Sequence, residues 1–174
     1  MKLIVIDMQK ALVVDVLYNY KNLVKNIKTL IDEARNNHIE VIYVKHDAGA
    51  GTGLSVGDIG FEIIEQIAPK ENEKVFIKKI NSCFGNPDFT EYLKQSEDKR
   101  LMIVGLQTDF CVDATIKSAF EKGYQVIIPN GCNSTFDNNV ITGKKVYQFY
   151  NEWVWPNVFG KCISLDEATT LLKE

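Results

Sequence analysis

Histidine is almost missing from this chain: His38 and His46 are the only two among 174 residues. A cysteine–histidine pair would therefore have to use His46, because His38 lies in a polar Asn36-Asn37-His38 turn. Cysteine is sparse as well. Cys83, Cys111, Cys132 and Cys162 are irregularly spaced, without the CxxC pairs of a thiolate metal site or the framework of a disulfide-stapled domain, so they are read singly as free thiols. No apolar run approaches the roughly 20 residues of a membrane span. The longest basic runs are pairs such as Lys144-Lys145, and the net charge is −3, so neither nucleic acid nor an anionic membrane is an expected partner. The first seven residues hold a four-residue apolar core followed at once by an acid, which is wrong for an export signal and makes the cytoplasm the expected compartment.

What is present is an alternation of short apolar runs and amphipathic segments. Strands are expected at residues 3–6, 41–44, 75–77, 101–104, 124–128 and 162–163. Leu23, Val24, Ile27, Leu30, Ile31 and Ala34 fall at helical spacing, and further helices are expected near 59–66, 88–95, 112–122 and 140–150. Ser164-Leu165-Asp166-Glu167 is a capping-box signature for a C-terminal helix. Strands that are apolar throughout are buried on both faces, so the expected fold is α/β. It is a three-layer, doubly wound, Rossmann-like single domain over residues 1–174, with a mainly parallel sheet of about six strands. Residues 47–58 carry Gly49, Gly51, Gly53 and Gly57 and read as a loop, either near the mouth of a site or simply on the surface. Those glycines do not lead from a strand into a helix at GxGxxG spacing, which argues against a dinucleotide site.

Three residues at strand ends carry potential chemistry. Asp7 follows the first apolar run, in the crevice where open parallel sheets bind ligands; an aspartate there is also a common turn cap. Lys78 and Lys79 end the third strand, and alternation alone does not decide which of them points inward. Cys111 lies where the fourth strand passes into a helix, and the partial positive charge of a helix N-terminus is expected to favour its thiolate. A buried cysteine is otherwise a small apolar filler.

Ile6-Asp7-Met8-Gln9, then Lys78-x-x-x-Ser82-x-Phe84, then Gly105-x-x-Thr108-Asp109-x-Cys111-Val112 together resemble the isochorismatase-like cysteine hydrolases, from residue 3 to about residue 135. This superfamily includes nicotinamidases, N-carbamoyl amidohydrolases and isochorismatases. The resemblance implies a catalytic triad of Asp7 as proton carrier, Lys78 (chosen over Lys79 by its distance from Phe84) as the stabilising cation, and Cys111 as the nucleophile of an acyl-thioester. It also implies a cis peptide at Leu106–Gln107 and an oxyanion hole made by the backbone N–H groups of Gln107 and Cys111. Leu12, His46, Phe84 and Asn133 are the expected lining of the substrate pocket.

The chain also departs from the better-known members. Metal-dependent nicotinamidases carry an Asp-x-His and a further histidine after the second strand. Here Lys45-His46-Asp47 has no second histidine downstream, so no catalytic metal and no cofactor are expected. Leu12 stands where nicotinamidases place a stacking aromatic, which makes nicotinamide a poor substrate guess. Asn130-Gly131-Cys132 replaces the usual Asp-Ala after the fifth strand and leaves open whether Cys132 or Cys83 reaches the cleft. The tail Phe149-Tyr150-Asn151-Glu152-Trp153-Val154-Trp155-Pro156-Asn157 is either local core or a subunit interface, and family habit favours a homodimer or homotetramer. The expected activity is metal-independent hydrolysis of a small amide or related C–N bond. The alternatives are vinyl-ether hydrolysis of the isochorismatase type and a non-catalytic binding or assembly role on the same scaffold.

Overall fold

The structure, a computed structural model, describes residues 1–174 except the side chain of Asn157 in the aromatic tail. One sheet is built from β1 (Lys2–Ile6), β2 (Glu40–His46), β3 (Lys74–Lys78), β4 (Arg100–Leu106), β5 (Gln125–Pro129), β6 (Asn133–Ser134) and β7 (Lys161–Ile163). The order is β3-β2-β1-β4-β5-β7, with the two-residue β6 pairing on β4, and every pairing is parallel. The chain winds outward from β1 to β3, then returns to lay β4 against the other side of β1. That reversal leaves a crevice at the carboxyl ends of β1 and β4, where such sheets bind ligands.

β1 shows why its sequence is apolar at every position. Leu3 and Val5 face a core shared with α1 (Tyr20–Asn36), whereas Ile4 and Ile6 face a second core, shared with α2 (Pro87–Lys94) and α3 (Asp113–Glu121). In α1, Leu23, Ile27, Leu30, Ile31 and Ala34 form one fully buried stripe. Each of the large aliphatic side chains there contributes about 1.5–3 kcal/mol by leaving water. The helix stops where His38 turns into the left-handed region, at φ 59°. α5 (Leu165–Leu171) starts with the expected capping box: Glu167 N–H donates to Ser164 Oγ at 3.2 Å, and Ser164 N–H donates to Glu167 Oε2 at 2.8 Å. No helix among the described residues is long and apolar enough to cross a membrane.

One expected helix is replaced by tighter turns, and another is shorter and continues in a different form. Residues 59–66 form short 3-10 turns at Ile59–Phe61 and Glu65–Ile67, because several of their backbone groups bond the loop after β1. Only short-range bonds such as Glu62 N–H to the Ile59 carbonyl remain within the segment. Lys10 N–H donates to the Glu62 carbonyl at 2.8 Å, Ala11 N–H to Gly60 at 3.0 Å, and Ile64 N–H to Met8 at 3.1 Å. The segment expected at 140–150 becomes α4 (Gly143–Gln148), capped by Thr142, and passes into a wide π-helical stretch, Phe149–Phe159. In that stretch Trp155 is wholly buried against α3, and its Nε1–H donates to Asp113 Oδ1 at 3.0 Å; Phe149 and Trp153 are exposed. Trp155 is therefore core.

Candidate active site

Asp7 is the first residue past β1. Its backbone takes φ 52°, a conformation that aspartate tolerates better than most residues, while its N–H donates to the Val44 carbonyl at 2.9 Å. The turn keeps its carboxylate at the strand ends, where it is 1 % exposed. Lys78 is the last residue of β3, in register with His46 of β2. Its side chain is buried, whereas Lys79 is exposed. Cys111 sits in a single π-helical turn, Thr108–Val112, closed by the Val112 N–H to Gln107 carbonyl bond at 3.1 Å, with α3 continuing from it.

β4 delivers that turn by pressing Gly105 against β1. A methyl group at Gly105 would lie 2.0 Å from the Ile6 carbonyl oxygen, and its φ is +124°, so only glycine fits. The peptide Leu106–Gln107 is cis.

These elements converge on one ammonium group. Lys78 Nζ lies 2.8 Å from Asp7 Oδ2, 3.1 Å from Cys111 Sγ and 3.1 Å from His46 Nδ1. The other carboxylate oxygen, Asp7 Oδ1, is buried and without a hydrogen-bond partner among the described residues. Asn81 joins from the loop after β3: its Oδ1 accepts from Cys111 Sγ at 3.8 Å.

Burial pushes the Cys111 thiol up to about 12, and the nearby Asp7 carboxylate adds to the effect. The helix-terminus argument for a preformed thiolate is thereby corrected: enclosure and a neighbouring anion outweigh the partial charge of one turn. Burial also raises Asp7 above the ordinary carboxylate value, partly opposed by Lys78. For Lys78, burial disfavours the charge, but Asp7 and then Cys111 more than offset it, and the ammonium is held above its ordinary value. The shifts all run one way: burial and Asp7 favour a proton on the Cys111 sulfur, Asp7 favours the charge on Lys78, and the Asp7 carboxyl is more basic than usual.

A cavity of about 240 Å³ opens over the thiol. Asp7, His46, Asn81, Gln107 and Cys111 supply its polar atoms, and Leu12, Leu54 and Phe110 supply an apolar wall. Leu54 comes from the glycine-rich loop. Asp47 folds that loop inward by accepting from Gly49 N–H at 3.0 Å and from Ser55 Oγ at 2.7 Å.

Two of the four expected pocket residues, Leu12 and His46, line this space, and two do not. Phe84 packs edge-on against Phe89 with ring centroids 5.4 Å apart and lies 5.7 Å from the Tyr124 ring, in the core beneath α2. Asn133 is behind the cysteine turn. Its Oδ1 accepts from Thr108 Oγ1 at 2.8 Å, and its amide pairs with Asn151 at 2.9 and 3.0 Å. Cys83 and Cys132 are wholly buried and line no part of the cavity. Sequence reasoning missed Asn81, Leu54 and Phe110. Asn81 and Phe110 sit inside the motifs that carry the resemblance; Leu54 had no signal beyond its loop.

A carboxylate oxygen of Asp7, a ring nitrogen of His46 and Cys111 Sγ lie within 4.8 Å of one another, a spacing that metal ligands can have. The Lys78 ammonium bonds all three, so a divalent ion would have to displace a buried, paired cation. The residues present do not fit a metal at this point. Asp47, the other acid near His46, is occupied by its own loop.

Residues 2–142 match the Isochorismatase domain family. The isochorismatase family protein YddQ of Bacillus subtilis, itself uncharacterized, is 30% identical over 122 residues, covering 68% of each chain. Nicotinamidase 3 of Arabidopsis thaliana is 25% identical over 147 residues, 74% of each chain. A crystal structure of a cysteine hydrolase from Pseudomonas syringae pv. phaseolicola superposes with TM-score 0.91 at 23% identity, over 99% of this chain and 92% of that one, a likeness of fold. The chain belongs to the isochorismatase family and is one of its hydrolases.

Proposed function

We propose that this hydrolase is metal-independent and cleaves a small, uncharged amide or related C–N bond through an acyl-thioester on Cys111. The observation that carries the reading is the Lys78 ammonium bonded at once to Asp7 and to Cys111 Sγ. Asp7, through its unpartnered Oδ1, takes the thiol proton as Sγ attacks the carbonyl carbon. Lys78 stays protonated and holds the developing thiolate. The carbonyl oxygen becomes an oxyanion facing the N–H groups of Gln107 and Cys111. Asp7 returns the proton to the leaving nitrogen, the C–N bond breaks, and an amine or ammonia departs. Water then attacks the thioester, giving its proton to Asp7, and the carboxylic acid leaves as the thiol is restored.

The wall of Leu12, Leu54 and Phe110 and the lack of a lysine or arginine in the lining suit an uncharged substrate. A dicarboxylate vinyl ether would bring two negative charges to a lining without lysine or arginine, beside a Lys78 ammonium already paired with Asp7, which weighs against the isochorismatase-type reaction. The test is an amide panel read out by ammonia release. The expected result is turnover by the native chain, none by Cys111→Ala, and an acylated Cys111 peptide in quenched reactions by mass spectrometry. Full activity in Cys111→Ala would falsify the reading.

A further inference from the structure

An ammonium has three protons, and Lys78 Nζ has three acceptors: Asp7 Oδ2, Cys111 Sγ and the ring of His46 at 3.1 Å. His46 can be the third only if Nδ1 carries a lone pair, which puts the ring proton on Nε2. Nε2 has no hydrogen-bond partner among the described residues, and the ring lines the cavity. The backbone of His46 is fixed independently. Gln9, wholly buried, accepts from His46 N–H through Oε1 at 2.8 Å and donates through Nε2 to the His46 carbonyl at 3.0 Å. One loop after β1 thus sends Asp7 to the ammonium and Gln9 to the residue that seats its third proton.

We propose that His46 is a positioning residue: neutral imidazole Nδ1 completes the seat of the Lys78 ammonium, while Nε2–H is offered to a hydrogen-bond acceptor on the substrate. Protonated His46 would point a donor at an ammonium and abandon the seat. The groups facing it are Lys78, Asp7, Cys111 and its neighbour Asp47. Burial, then Lys78, hold its pKa below the ordinary 6.5, against the opposing pull of Asp7 and Asp47. The ring is therefore neutral and the seat intact at neutral pH, and the seat is lost only at a pH lower than an ordinary histidine would titrate. The role in catalysis rests on the acyl-thioester reading; the tautomer does not.

The tautomer is read by ¹⁵N NMR of the native chain, which has only one other histidine, the exposed His38, as internal reference. The expected result near neutral pH is an unprotonated Nδ1 and a protonated Nε2 on His46. An Nδ1–H tautomer or an imidazolium there overturns the proposal. The second readout is Cys111 alkylation by iodoacetamide against pH. The native rate should show an acid step that tracks the His46 titration. His46→Gln keeps an acceptor that does not titrate, so the step should vanish while the rate stays close to native. His46→Leu removes the acceptor and should slow alkylation about tenfold at every pH. An unchanged acid step in His46→Gln, or equal rates in the Gln and Leu variants, makes His46 a mere filler. Retained hydrolysis in Cys111→Ala would instead remove the thioester reading and leave the tautomer result standing.

Discussion

The two faces of the sheet and the carboxyl ends of its strands are buried equally well by opposite means. On the faces, Leu3, Val5, Ile27 and Ile31 belong to one cluster of buried apolar side chains, and Ile4, Ile6, Phe89 and Ile116 to another. At the ends of β1, β3 and β4, Asp7, Gln9, Lys78 and Thr108 are just as inaccessible, yet each is polar or charged. Burial on the faces is favourable in itself. Burial at the strand ends is favourable only as a set, because a desolvated charge without its partner is costly. The same sheet therefore contains a region whose members act nearly independently and one whose members do not.

Cys111→Ala should separate the two most sharply. It removes the proposed nucleophile, so turnover on any amide found to be a substrate should fall by about 10⁴-fold or more. The substitution leaves the Asp7–Lys78 ion pair in place, so thermal unfolding should move little. Lys78→Ala should do both kinds of damage. It strands the Asp7 carboxylate, and denaturant unfolding should show a loss of about 3–5 kcal/mol. Adding Asp7→Asn should recover much of that stability and none of the activity. Additive losses in the double variant would mean that the pair is not a coupled unit.

Ile31→Ala belongs to the other region. The side chain is wholly buried between α1 and the sheet, and its truncation should cost about 2–4 kcal/mol with kcat per folded molecule unchanged. A substantial drop in kcat at a temperature where the variant is fully folded would show that the helical face and the site are linked.

The independent region was the easier one to read from sequence. The period of Leu23, Ile27, Leu30, Ile31 and Ala34, and the runs of β1, β2 and β4, report directly on which faces are covered. Hydrophobic period failed where backbone bonds left the segment, as at 59–66, where the Gly60 and Glu62 carbonyls and the Ile64 N–H serve the loop after β1. At the site, residue types and motif spacing pointed to Asp7, Lys78 and Cys111, and the structure brings these side chains together. Which neighbours reach the cavity was not legible. Phe84 ends one motif and Asn133 follows the fifth strand, but one packs beneath α2 and the other behind the cysteine turn, while Leu54 arrives from a loop whose path no local pattern encodes. The protonation of Cys111 was misjudged for a related reason: local sequence shows the helix start and not the enclosure or the distant carboxylate.

The smallest of the expected effects tests where the boundary between the regions lies. Asn151 belongs to the π-helical stretch after α4, far along the chain from the site and buried like a core residue. Its amide accepts from Asn133 Nδ2 and donates to Asn133 Oδ1, which in turn accepts from Thr108 at the start of the cysteine turn. Asn151→Ala should leave the Asn133 amide unsatisfied at a cost of about 1–3 kcal/mol. If the strand ends act as a set that extends this far, the turn loosens. Cys111 alkylation and kcat should then fall several-fold, and Thr108→Val in the same chain should add little further loss. If instead the stability loss appears with native alkylation, Asn151 belongs with Ile31, and the coupled region ends at the cysteine turn itself.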